Sequence, residues 1–259
     1  MRLAFVIVYN ARMTYCLAIK ISEGLVFCSD SRTNAGADRV SSFSKMHRIA
    51  VSADRFLVLL SAGNLGTTQA VIESLERETK SDRESIILTS NYLSEIADYI
   101  GQLSVQTQKK YSPGGEEAGF NAEASFILGG QIHNEEPELY LIYPEGNHIR
   151  PSKAHPFFQI GETKYGKPIL DRMIEAQTPH EIAMRCALVS MDSTLRSNVT
   201  VGPPIELMYL EADIINEPRK YKRFDENDPY LVSLRTAWNE EILKAFNNLP
   251  ELGAAFDDD

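Results

Sequence analysis

Cysteine is scarce. The 259 residues hold three, Cys16, Cys28 and Cys186. They have no metal-ligand spacing, and their odd number does not suggest a disulfide framework. Cys16 and Cys28 stand in apolar, strand-like stretches, where a thiol packs as a small hydrophobe. This usage suits a reducing cytoplasm. The five histidines are scattered and show no metal spacing either. Positive charge is also short: 26 Lys and Arg face 36 Asp and Glu, a net charge of −10. That balance argues against a nucleic-acid groove or an anionic membrane as partner. No apolar run approaches the roughly 20 residues that span a bilayer. A Gly-x-Ser-x-Gly elbow is missing, although a dispersed Ser/His/Asp triad stays open. Gly161-Glu162-Thr163-Lys164-Tyr165-Gly166 has glycines and a lysine but not the phosphate-loop spacing, and reads as a loop before a helix. The expectation is no cofactor, no metal and no nucleotide site, with any ATP use left to a separate partner.

What is present is the pattern of one large mixed domain, and the length allows a substantial core. Tyr15 to Ile21 and Leu25 to Cys28 predict a hairpin turning at Ser22-Glu23-Gly24. His47 to Ala53 and Arg55 to Ala62 predict a second pair. Helices are expected from Thr67 to Thr79 and from Ser90 to Lys109, with apolar residues at helical spacing. Tyr111 to Gly119 is a Pro/Gly/Glu-rich loop. Strands return in Ala124 to Gly130, Glu138 to Tyr143 and Phe157 to Ile160. Helices follow over Lys167 to Glu175 and Thr178 to Thr194, the latter with Thr178 as N-cap and Pro179 in the first turn. Ile205 to Leu210 is expected to be the last strand. Strands segregated from helices in this way give an α+β chain, with sheets stacked inside helical layers. No boundary divides it in two. After Asp213 the character changes: Pro218 to Arg223 is basic, Pro229 to Leu249 predicts a helix, and the end is acidic.

The chemistry centres on Thr14. A threonine hydroxyl is a poor nucleophile near neutral pH and needs a base beside it. An N-terminal threonine carries its own, an α-amine with a pKa of roughly 7.7–8.0. A buried ammonium next to Thr14 Oγ1 lowers the cost of forming the alkoxide, and a carboxylate keeps that ammonium charged and oriented. Lys45 and Asp30 are the candidates, since the first hairpin returns Asp30 toward Thr14. Alone, each has an ordinary reading: a strand-leading β-former, a turn aspartate and a solvated lysine. Their order and spacing lift them above it.

Residues 1–13 leave open whether Thr14 is ever a terminus. Arg2 followed by Leu3 to Tyr9 has the flavour of a signal peptide, but the run is short and lacks a small-x-small cleavage site. Three explanations stand, in this order: a misplaced start codon, a short propeptide, or an export signal. In the first, Met13 initiates and its removal exposes Thr14.

Three stretches carry a resemblance. Met13-Thr14-Tyr15-Cys16, then Asp30-Ser31-Arg32-Thr33-Asn34-Ala35-Gly36, then Ser44-Lys45-Met46 are similar to the start of a proteasome β-subunit. The second resembles that family's Asp-Ser-Arg-x-x-x-Gly segment. Asp30 falls at its catalytic aspartate, and Lys45 falls one residue short of its lysine. Ser61-Ala62-Gly63 resembles its oxyanion loop, and Ser125 to Gly130 its next core strand. Met191-Asp192-Ser193-Thr194-Leu195-Arg196-Ser197-Asn198 and the long C-terminal extension resemble the bacterial Anbu, or ancestral β-subunit, branch.

The resemblance covers about residues 14–213, which leaves 1–13 as an N-terminal extension and 214–259 as a C-terminal one. It implies a four-layer αββα sandwich of the N-terminal-nucleophile hydrolase type. It further implies a cytoplasmic, self-assembled homo-oligomer, a ring or an open helical assembly. Peptide or unfolded protein would be the substrate, fed by an unidentified unfoldase or co-expressed partner. By the same resemblance Gly63 N–H holds the oxyanion, and backbone at Asn34 and Gly63 holds substrate as an added strand. The family's Asp-x-x-Ser-Gly-Gly stretch, which supports the threonine amine, is absent. Asp192 to Gly202 stands in its place, with Asp192 or Ser197 as candidates for that support. Two rivals to a threonine peptidase remain: a small-amide amidohydrolase, and a catalytically silent assembly subunit.

Overall fold

Strand β1 (Tyr15–Ile21) shows why the core forms where it does. Tyr15, Leu17, Ile19 and Ile21 point into one apolar cluster, while Cys16 and Ala18 point into another. A strand buried on both faces reads as a nearly continuous apolar run, as this one does. The computed structural model describes residues 14–34, 40–82, 84–112, 121–215, 217–218 and 220–252. The expected N-terminal extension, Ala35-Gly36, most of the loop to Gly119, Arg219 and the acidic end lie outside the described residues.

β1 turns at Ser22-Glu23 into β2 (Gly24–Ser29), as expected. Two short strands follow, β3 (Arg32–Asn34) and β4 (Val40–Ser42), which pair with each other. β5 (Met46–Val51) and β6 (Arg55–Gly63) form the second hairpin. Helix α1 (Leu65–Ser81) begins where Asn64 Oδ1 accepts from Thr67 N at 3.1 Å, a side-chain N-cap. The helix expected over Ser90 to Lys109 forms without a break but starts three residues later. A short α2 (Ile86–Thr89) precedes α3 (Leu93–Tyr111), with Ser90 between them. There Ser90 Oγ accepts from Tyr92 N and donates to Glu95, interactions that compete with helix continuation.

β7 (Ala124–Ile132), β8 (Glu138–Ile142) and the two-residue β9 (His148–Ile149) complete one sheet in the order β5-β6-β7-β8-β9. β10 (Phe157–Gly161) returns to β1. α4 (Lys167–Met173) and α5 (His180–Ser197) lead to β11 (Ile205–Glu211). Thr178 does not cap α5: its Oγ1 accepts from Glu175 N at 2.9 Å, and Pro179 occupies the cap position.

β11 is not the last strand. β12 (Lys220–Phe224) pairs with it and closes a second sheet, β10-β1-β2-β11-β12. Its cations hid it, yet lysine and arginine are what an edge strand tends to carry. α6 (Pro229–Asn247) follows, capped by Asp228, whose carboxylate accepts from Tyr230 N at 2.9 Å. Three apolar clusters hold these parts together. One lies between α4/α5 and the β1 sheet, and one between the β6 sheet and α1/α3. The third lies where the two sheets face each other.

Candidate active site

Thr14 leads β1 and is 6 % exposed. Its carbonyl accepts from Glu162 N at 2.7 Å, just past β10. Gly161 makes this approach possible: its φ is +83°, and a Cβ there would stand 2.0 Å from Thr14 O. The β1–β2 hairpin brings Asp30 back to the same end. Asp30 N donates to Tyr15 O, and Tyr15 N donates to Asp30 Oδ1, both at 3.1 Å.

Asp30 is fully buried, and its carboxylate gathers the site. Lys45 Nζ donates to Oδ1 at 2.7 Å, and Gly202 N donates to Oδ2 at 3.1 Å. Burial pushes the Asp30 carboxyl above the ordinary aspartate range. The Lys45 ammonium and the two N–H donors oppose that push without reversing it. Lys45 is 7 % exposed, and its ammonium also donates to Arg32 O at 2.7 Å. Two oxygens fix its direction, and Asp30 Oδ1 bridges it to the backbone beside Thr14. Burying such a pair costs desolvation, which only good geometry and further hydrogen bonds offset, and this pair has both.

The walls of the site follow from the same folding. Ser44, next to Lys45, donates to Glu206 Oε2 at 2.6 Å, and Tyr221 OH donates to Glu206 Oε1 at 2.7 Å. Ser61 N donates to Lys45 O at 3.1 Å, which ties the lysine segment to β6. At the end of β6, Gly63 is exposed and adopts φ +112°. A Cβ there would stand 2.3 Å from Glu123 O, so only glycine fits. Asn34 lies in β3, its backbone paired with Val40. Ser29 Oγ and Ser31 Oγ, which flank Asp30, are buried and have no hydrogen-bond partner among the described residues.

Thr14, Asp30 and Lys45 are thus brought to one place. Asp192 and Ser197 are not part of that bonded set. Asp192 Oδ1 accepts from Arg235 Nε at 2.6 Å, which fastens α5 to α6. Ser197 is exposed at the end of α5. The residues that reach the site from this region are Gly202 and Asn198. Gly202 O accepts from the N–H groups of Ser31 and Arg32 at 3.2 and 3.1 Å. Asn198 Nδ2 donates to Glu162 Oε2 at 3.3 Å. Glu162, only 8 % exposed, lies in the stretch expected to be a plain loop before a helix. Its signal was position: an acid directly after the glycine that meets Thr14.

Other groups are quieter. Burial holds the Cys16 thiol well above its usual range. No group of His, Cys, Asp and Glu among the described residues is arranged to hold a metal ion. No described helix is long and apolar enough to cross a membrane.

The sequence profile of the proteasome subunit family matches residues 12–210. No curated protein matches the chain. Among solved structures, Anbu (ancestral β-subunit) from Yersinia bercovieri is 40 % identical with a TM-score of 0.85, over 92 % of this chain and 99 % of that one. Anbu from Pseudomonas aeruginosa, solved as a helical assembly, is 40 % identical with a TM-score of 0.87, over 94 % and 100 %. Anbu from Hyphomicrobium sp. strain MC1 is 39 % identical with a TM-score of 0.81, over 92 % and 99 %. The chain therefore belongs to the proteasome subunit family, and within it to the Anbu branch.

Proposed function

We propose that this chain is a threonine-type peptidase subunit that works inside a homo-oligomeric particle, with Thr14 as its N-terminal nucleophile. The observation that carries the reading is the buried Asp30–Lys45 pair tied to the backbone beside Thr14. Such a pair costs desolvation energy and is expected where a fixed positive charge is useful.

The chemistry runs in two halves. Thr14 Oγ1 attacks a peptide carbonyl carbon as its proton passes to the Thr14 α-amine. The carbonyl oxygen takes the negative charge and is held by Gly63 N–H. Collapse breaks the C–N bond, the amine returns its proton to the leaving nitrogen, and an acyl ester remains on Thr14. Water then attacks that ester, with the amine as base, and releases the carboxylic acid and Thr14. Lys45 stabilises the developing alkoxide, and Asp30 aims Lys45. Backbone at Asn34 and Gly63 takes the substrate as an added strand, which gives affinity with little side-chain selectivity. Asn198 and Glu162, rather than Asp192 or Ser197, hold the segment against Thr14.

The three apolar clusters support a four-layer αββα sandwich over residues 14–213, with 214–259 as an extension. The reading also takes the particle as cytoplasmic, a ring or an open helix, free of cofactors and fed by a separate unfoldase. The test is the intact mass and the covalent labelling of protein that begins at Thr14. One epoxyketone or boronate adduct, lost in Thr14→Ala, supports the enzyme. Assembly without any adduct points to the silent subunit.

A further inference from the structure

The C-terminal helix has two halves with different fates. In the first, Leu231 is buried, Leu234 packs on the α4/α5 core, and Arg235 bonds Asp192. Through the second half and the five residues that follow the helix, every residue from Glu240 to Leu252 is exposed. These include Ile242, Leu243, Phe246, Leu249 and Leu252, with Phe246 at 69 %. Five large apolar side chains on one protruding end form the kind of patch that marks an interaction site.

A matching cavity lies elsewhere on the same chain. A groove of about 590 Å³ opens between α5, β12 and the first turn of α6. Met184, Leu188 and Phe224 give it apolar walls; Arg185 supplies positive charge, while Lys220 and Lys222 line it paired with Glu181 and Asp228. Glu181 is the acid among its lining residues. Pockets of roughly 300–1,000 Å³ hold ligands of several side chains' size.

We propose that this groove receives the second half of α6 from another copy of the chain. Length excludes the chain's own helix end. Tyr230 lines the groove and Phe246 is sixteen residues further along one continuous helix. At 1.5 Å per residue that is about 24 Å away. Charge agrees as well: Glu241 and Lys244 pair with each other, which leaves Glu240 and Glu251 on the exposed end to meet Arg185, the rim cation beyond the Lys220–Glu181 and Lys222–Asp228 pairs. The helix end and the groove are different patches, so the contact is head-to-tail. Repeated, such a contact closes into a ring if the rotation allows and otherwise runs as an open helix. This deepens the assembly half of the proposed function and is independent of its chemistry.

The experiment uses the full-length chain and light scattering behind size exclusion at micromolar concentration. Phe246→Glu/Leu249→Glu spoils the helix end, and Arg185→Glu/Lys220→Glu spoils the groove. Each variant alone should give a particle of smaller mass than the parent. An equimolar mixture should recover one good contact, the intact end of one variant in the intact groove of the other, and yield a species one step larger. Should a variant fail to fold, Phe246→Ser and Lys220→Gln carry the same test. A groove variant that assembles like the parent, or a mixture no larger than its components, overturns the proposal. Thr14 labelling reports separately: its loss with assembly intact faults the chemistry and not the contact.

Discussion

Lys45→Met is the most instructive substitution, because the ammonium serves both the chemistry and the fold. Its Nζ bonds Asp30 Oδ1 and Arg32 O, both at 2.7 Å. Removing it leaves the Asp30 carboxylate buried against two N–H groups and no charge. Breaking a buried pair from one side costs about 3–5 kcal/mol. Asp30 can relieve part of this by binding a proton, which its raised pKa favours, so the lower end of that range is expected. For a chain of this size each kcal/mol moves Tm by roughly 2–4 °C, hence a fall of about 6–12 °C. Lys45→Met/Asp30→Asn removes the stranded charge and leaves one N–H facing an amide. Arg32 O loses its lysine donor in both variants, so the double variant replaces the stranded charge with one mismatched N–H, at about 1–3 kcal/mol. The double variant should therefore be more stable than the single one, while both lose activity. Urea unfolding with m-values compared between variants measures the difference. A Lys45→Met protein within 1 kcal/mol of the parent, or a double variant less stable than the single, would refute the reasoning.

Three further outcomes follow from the same geometry. Gly63→Ala should lower kcat by about 10²–10³, the loss seen when an oxyanion donor is removed, because its Cβ meets Glu123 O and turns the N–H away; steady-state kinetics on a fluorogenic peptide checks it. Activity should fall on its acid side at a pH above the ordinary aspartate value, since a protonated Asp30 no longer aims Lys45 and burial raises its pKa. Between the ordinary and raised values the fold binds the proton better than the unfolded chain does, so this group's contribution to stability falls as pH rises through that window; a pH profile of labelling beside one of unfolding separates the two. A chain ending at Asn239 should stay folded and form a smaller particle. One ending at Asp228 should also lose several degrees in Tm, because Leu231, Leu234 and Arg235 go with it.

The parts that could be read from the sequence are those governed by local pattern. The β1–β2 and β5–β6 hairpins are apolar runs broken by turns, and their pairing follows from adjacency. That same hairpin carries Asp30 to Thr14, so this half of the site was visible too. The parts that escaped depend on distant partners. β12 is cationic and becomes a strand because β11 offers an edge. α3 starts late because Ser90 bonds Tyr92 N and Glu95. Asp192 was a fair candidate for the active site until α6 docked and placed Arg235 on it, and nothing local announces a contact 43 residues away. Glu162 and Gly202 matter through where β10 and the turn before β11 arrive, not through any motif they form.

The central claim is that the Thr14 α-amine is the base. Protein beginning at Thr14 and protein retaining residues 1–13 should be treated with the same peptide epoxyketone and read by intact mass. The account predicts one adduct on the first, none on the second and none on Thr14→Ala. Equal labelling of the first two forms would contradict it.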